Sequence, residues 1–237
     1  MGGGAVDFNS PWLRRPLDPK FVHFVTEAGD ELDAVVALCD ELVTDRDASF
    51  GIDARRRLYE NWLSSGNRCL MTVKTANEGL LGATVVLPIR PASFERYRSG
   101  KLDAVRIERA DLSSPEHVDA HKRLLIDILV LRTRPILDLI RRENLPLEEL
   151  WIRATSRHMA EYYDGKTLPR PVVAAATNHS RVVPRLRALG WTEIGAEESG
   201  LPVFAIDLGN LSGVSEQVRK FYELILEQIR TYNLEGS

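Results

Sequence analysis

Residues 124–131 read Leu-Leu-Ile-Asp-Ile-Leu-Val-Leu, the longest apolar run of the chain, broken once by Asp127. Its core, LIDILVL at 125–131, has the length of a strand buried on both faces. Ser114-Pro115-Glu116 upstream has the form of a helix start, so the region 113–131 offers two readings. The strand reading is preferred for 125–131. A carboxylate inside such a run has to be paired, protonated or placed at a cleft. Asp127 is therefore either a satisfied structural carboxylate or part of a site. At this length the run cannot span a bilayer.

Outward from this strand, the spacing predicts a mixed α/β order. Upstream, Phe21–Glu27 alternates as a strand. Leu32, Val35, Val36, Cys39 and Leu42 recur at helical spacing within 30–43, and a second helix over 53–63 turns Leu58, Tyr59 and Trp62 inward. Residues 68–75 and 80–89 form two strand-like runs around the turn signal Asn77-Glu78-Gly79, hence a hairpin. A short helix ends at Gly100, and 104–112 reads as an extended piece. Downstream, Pro135 opens a helix that Asn144 and Pro146 stop. Residues 150–154 read as a strand, 156–163 as a helix, 172–177 as a strand, and 180–189 as a helix closed by Gly190. Residues 191–195 and 202–208 suggest a last hairpin. The stripe Val214, Val218, Phe221, Ile225, Ile229 and Tyr232 then marks one amphipathic helix, either packed on the sheet or used as a homodimer contact. Ala154-Thr155 and Ala176-Thr177 form a faint internal echo, each read as a strand end before a helix.

The 237 residues are 44% hydrophobic and 27% charged, which excludes a disordered tail, a coiled coil and a collagen-like chain. With 31 basic against 34 acidic residues there is no broad basic field, and nucleic acid is not an expected partner. Cys39 and Cys69 form no C-x-x-C pair and read as buried core thiols. Gly2–Gly4, Pro11, Pro16 and Pro19 make 1–20 an extended arm, which Trp12 and Leu13 could tack onto the body. The domain proper is 21–208, and 209–237 holds the C-terminal helix. No secretory or membrane-spanning run is evident, and Val6 stands where a myristoylation signal requires Ser or Thr. The expectation is a cytoplasmic protein without a membrane partner.

Four pieces carry a resemblance over roughly 21–208: the two helices after the first strand, GLLGATVVLPI at 79–89, LIDILVL, and ATNHSRVVPRLRALGW at 176–191. In these the chain resembles the GCN5-related N-acetyltransferase (GNAT) superfamily, as a divergent member. The resemblance implies a mixed central sheet flanked by helices and transfer of an acyl group from acetyl-CoA or another acyl-CoA to a small-molecule or peptide amine. It implies cofactor contacts at Leu129 and Leu131, through their backbone, and at Arg132, Thr133, Arg134 and Asn178. The family's phosphate signature, Gln/Arg-x-x-Gly-x-Gly/Ala, is replaced here by Arg132-Thr133-Arg134-Pro135. Those residues contain no glycine, and Pro135 lacks an N–H. The two arginines supply charge in place of a backbone cradle. The family's usual late tyrosine aligns with Leu186, with Tyr162 or Tyr163 as stand-ins.

Acyl transfer to an amine needs a base, a polarising N–H and an acid for the departing sulfur. Glu108 is the expected base, set in a mostly apolar strand; its alternative is an ion pair with Arg106 or Arg109. Asp127 is a second catalytic candidate and Tyr163 the expected acid, with ordinary packing as its alternative. His117 and His121 lie four apart, but HVDAH lacks the glutamate of a zincin motif and reads as a polar segment. His158 and His179 read as surface histidines. Two other functions stay open: a degenerate relative that binds a ligand or partner without catalysis, and an acyl-homoserine-lactone or N-acyl amino acid synthase, which VLPIRP followed by RIERADL resembles.

Overall fold

The computed structural model describes residues 23–26, 31–42, 51–75, 79–114, 123–131, 147–160, 162, 171–178, 180 and 182–235. The N-terminal arm, the helix expected after Pro135, and His117, His121 and His179 lie outside them.

The chain begins with β1 (His23–Thr26), α1 (Leu32–Leu42), α2 (Ile52–Leu63), β2 (Leu70–Thr75) and β3 (Gly79–Ile89). It continues with α3 (Pro91–Arg98), β4 (Arg123–Leu131), α4 (Leu147–Ala160), β5 (Val172–Ala176) and α5 (Val182–Ala188). The last elements are β6 (Thr192–Ala196), β7 (Pro202–Asp207) and α6 (Glu216–Glu235). The strands form one seven-stranded sheet in the order β1-β2-β3-β4-β5-β7-β6. Only β4 and β5 run parallel; every other neighbouring pair is antiparallel.

β3 is buried continuously from Leu81 to Ile89 because it is central and covered on both faces. Alternate residues divide between two cores. Ala83, Val85, Leu87 and Ile89 join Leu125 and the inward stripe of α1 and α2: Val35, Val36, Leu38, Cys39, Tyr59 and Trp62. Val86 joins Leu124, Val173, Phe204 and Ile206 beneath Met159, Ala160, Val218, Phe221, Ile225 and Ile229 on the other face. Full burial of each large apolar side chain contributes about 1.5–3 kcal/mol. The C-terminal stripe is thus committed to the sheet. Trp191 Nε1 donates to the Tyr222 hydroxyl at 2.9 Å, and that hydroxyl donates to the Leu189 carbonyl at 2.9 Å, locking α6 against the end of α5.

Two sequence expectations are corrected. Residues 150–154 are not a strand but lie within α4. Leu150-Trp151-Ile152 carries strand-like residue types, but Arg153, Ser156 and Ala160 are buried at helical spacing on one face. The Ala-Thr echo dissolves with it: Ala154-Thr155 is mid-helix, whereas Ala176 ends β5. Residues 104–112 are not extended but hold two 3-10 turns, Ala104–Arg106 and Arg109–Asp111. Acidic side chains override the apolar pattern by satisfying local N–H groups: Asp111 Oδ2 accepts from Glu108 N–H at 3.1 Å.

The long β3–β4 connection is tied back onto the sheet. Ser113 N–H donates to the Pro88 carbonyl at 2.7 Å and Ile89 bridges Leu112, so this segment continues the sheet beside β3 where β2 has ended. The end of α3 lies so close to β6 that a Cβ on Gly195 would overlap the Arg98 carbonyl oxygen. Only glycine fits there.

Candidate functional site

The sheet changes character along β4. Arg123, Leu124 and Leu125 pair with Val172, Val173 and Ala174, and there the β4–β5 ladder stops, although β4 runs on to Leu131 and β5 to Ala176. β5 instead follows β7, pairing with it over its whole length, and Thr177 N–H extends the contact to the Pro202 carbonyl at 3.0 Å. On its other side β4 stays on β3, from Ile89 opposite Arg123 to Gly82 opposite Leu131. Two parallel neighbours therefore part from Leu125 onward. The backbone edge of Ile126–Leu131 that faces β5 has no ladder partner among the described strands. An open edge of N–H and C=O groups is a template for an extended, amide-bearing ligand.

The cause of the parting is local. Val85 is opposite Ile128 and Val86 opposite Ile126, so Asp127 is the extra residue of a β-bulge. A bulge bends its strand and sharpens its twist, which turns β4 away from a straight neighbour. The anomaly in the apolar run and the irregularity in the ladder are the same residue.

Asp127 is half-buried and lies on the face covered by α1 and α2, two residues after Leu125. Its charge reaches two buried groups there. The Tyr59 hydroxyl is pushed well above its ordinary value by burial first, and then by Cys39 and Asp127. Burial also pushes up the Cys39 thiol, with Tyr59 and Arg55 opposing and Asp127 adding to the rise. Tyr59 donates to Cys39 Sγ at 3.6 Å. Beside them Arg55 is only 6% exposed, and its Nη1 is buried without a hydrogen-bond partner. Sequence reasoning missed Arg55, one of three consecutive arginines at 55–57. The available signal was spacing: 55, 59 and 62 share the inward stripe of α2, so this arginine is the one carried into the core.

Glu108 is not in a strand. It is the N-cap of the turn Arg109–Asp111, in a reciprocal capping box with Asp111. It lines an open pocket of about 570 Å³ with Asn61, Arg90, Arg109 and Ala110. That pocket belongs to the loop joined to β3 at Ile89, which faces Arg123 at the start of β4. Through Leu112 this loop meets β3 at Ile89, three residues along β3 from Val86 at the bulge. Leu129 and Leu131 lie opposite Thr84 and Gly82 on the part of β4 beyond the β5 ladder. Asn178 is exposed just after β5. Arg132, Thr133, Arg134 and Tyr163 lie outside the described residues.

The surface reading of His158 is corrected: it is fully buried on the α4 face. Its Nε2 is 2.6 Å from the Arg68 carbonyl, which can only accept, so Nε2 carries the proton. Nδ1 then accepts from the Thr84 hydroxyl at 2.7 Å. Burial lowers its pKa to about 4, against the raising effect of the Arg68 carbonyl. Tyr162 stacks on it at 6.0 Å and donates to the Val86 carbonyl at 2.7 Å. These residues fasten α4 to β3.

No family model and no curated protein matches the chain. Among solved structures, the chain is similar to the mosquito arylalkylamine N-acetyltransferase like 5b, with 12% identity and a TM-score of 0.47 over 78% of this chain and 99% of that one. It is similar to an N-acetyltransferase from Staphylococcus aureus Mu50, with 12% identity and a TM-score of 0.41 over 79% and 98%. A third likeness is to FdhC, a nucleotide-linked sugar GNAT, at 11% identity and a TM-score of 0.44 over 86% and 90%. All three TM-scores lie below one half. No described helix is long and apolar enough to cross a membrane.

Proposed function

We propose that the chain is an acyl-CoA-dependent N-acyltransferase acting on a small-molecule or peptide amine. The observation that carries this reading is the end of the β4–β5 ladder at Leu125 beside the bulge at Asp127. The edge of β4 beyond Leu125, which has no ladder partner among the described strands, suits a pantetheine arm, whose amides take the place of a neighbouring strand. Leu129 and Leu131 offer their backbone groups to it. Arg132, Thr133 and Arg134, next in sequence, supply charge and hydrogen bonds for the phosphates. Asn178 flanks the same end of the sheet from β5. The bound thioester supplies an acyl carbon activated for attack by an amine.

In this reading Asp127 holds the amine at the bulge and takes its proton, directly or through water. The new bond joins nitrogen to the acyl carbon, the carbon–sulfur bond breaks, and the departing sulfur receives a proton, for which Tyr163 is the candidate donor. Calorimetric titration with acetyl-CoA and longer acyl-CoAs tests the reading. Saturable heat with at least one supports it, and none with any of them removes it.

The capping role of Glu108 and the glycine-free stretch after β4 favour a second reading, a ligand-binding relative without turnover. Release of free CoA in the presence of an amine panel eliminates it.

A further inference from the structure

We propose that the acceptor amine also bears a carboxylate, read by Arg55 beneath the β4 bulge. The starting point is an anomaly on α2. Burying a guanidinium is costly unless it is paired, and one whose Nη1 donors have no acceptor carries part of that cost uncompensated. Arg55 is more than nine-tenths buried on the inward stripe of α2, among Tyr59, Cys39 and the apolar core under β3 and β4. Its neighbours meet the demand only in part: the Cys39 thiol, a weak acceptor, is shared between Arg55 and the Tyr59 hydroxyl, and Nη1 has no acceptor. A native structure that keeps such a group calls for an explanation, and an anionic ligand supplies one.

The chemistry around Arg55 narrows the anion. One guanidinium balances one negative charge and matches the planar fork of a carboxylate. A phosphate dianion needs further cations, and no other described basic side chain is buried on this face. Asp127, on the same face, is the complementary half. A carboxylate at the bulge attracts an ammonium group, and an arginine deeper under the sheet attracts a carboxylate. Together they describe a zwitterion: a free amino acid or a small amine of that pattern, with its nitrogen at the bulge and its carboxylate toward α2. This assignment rests on the transferase reading for the purpose of the site, but the anion-binding part stands on Arg55 alone.

The test is a binding experiment that needs no turnover. Saturation-transfer NMR is run on the full chain with the twenty free amino acids, their α-carboxamides, and phosphoethanolamine. At least one free acid is expected to bind roughly ten-fold or more tightly than its amide, the worth of one charge-assisted hydrogen-bond pair. Arg55→Met is expected to abolish that preference while leaving the melting temperature equal or higher, because a buried charge whose hydrogen bonds are only partly met has been removed. A merely structural arginine behaves oppositely, its loss lowering the melting temperature. Should Arg55→Met not fold, Arg55→Lys keeps the charge, loses the fork, and is expected to weaken the free acid alone.

Equal binding of acids and amides, binding of none, preference for phosphoethanolamine, or a free-acid affinity untouched in both variants overturns the proposal. Acyl-CoA titration of the same samples separates the two claims. Acyl-CoA binding without carboxylate preference sinks this inference and spares the transferase reading. Carboxylate binding through Arg55 without acyl-CoA binding does the reverse.

Discussion

The His158 cluster on one face of the sheet and the Arg55 cluster on the other differ in how their buried polar groups are met. On the α4 and α6 face, His158 uses both ring nitrogens, Tyr162 caps the Val86 carbonyl, and Trp191 and Tyr222 form a relay ending on the Leu189 carbonyl. On the α1 and α2 face, Arg55 keeps a buried donor group without an acceptor and Tyr59 settles for a thiol. Satisfied networks rigidify a core. Groups left short of partners are what ligands complete. The proposed chemistry lies on the α1 and α2 face, to which Asp127 at the bulge belongs.

That contrast can be broken by substitution. The largest effect is expected on activity: Asp127→Asn should lower kcat by roughly 10²–10⁴-fold, the usual worth of a positioned base, with little change in melting temperature. A large loss of stability with activity per folded molecule retained contradicts the assignment of functions to faces. On the other face, His158→Ala strands the Thr84 hydroxyl and the Arg68 carbonyl and leaves a cavity. It should cost about 3–4 kcal/mol in a denaturant titration.

A third expectation concerns pH. His158 has its folded pKa depressed to about 4, so the unfolded chain binds the extra proton first as pH falls below the ordinary histidine range. The contribution of the neutral ring is complete above about pH 6.5 and is lost as pH drops toward 4, amounting to about 3 kcal/mol across that window. The difference in stability between wild type and His158→Gln should shrink over the same interval, and a pH-independent difference contradicts the buried neutral ring. The smallest effect is expected of Tyr222→Phe, which removes the acceptor of Trp191 and the donor to Leu189. A loss of about 1–2 kcal/mol, without change in acyl-CoA affinity, sharpens the division.

Strand β3 stood out as a long apolar run buried on both faces, and β4 as an apolar run broken only by Asp127. α2 and α6 stood out through their periodicity. α4 was misread because Leu150-Trp151-Ile152 carries strand-forming side chains, while its length and its buried Arg153, Ser156 and His158 become meaningful only against the sheet. The turns at 104–111 were misread because capping by Asp111 and Glu108 is a local bargain that apolar alternation does not register. Asp127 was legible as a misfit, since a carboxylate in such a run has few explanations. Arg55 was not, because its neighbours Arg56 and Arg57 make it look like surface, and only its spacing to Tyr59 and Trp62 separates it from them.

The parting of β4 from β5 is tested most directly by amide hydrogen exchange followed along both strands, with and without acetyl-CoA. Without it, Leu124 and Leu125 should be protected while the gap-facing amides of Ile126–Leu131 exchange faster, by roughly the hundred-fold that a lost ladder bond in a locally accessible edge allows. Addition of acetyl-CoA should slow those same amides and leave β5–β7 unchanged. Full protection of Ile126–Leu131 in the free protein, or exchange there that acetyl-CoA does not alter, contradicts a thioester slot at this edge.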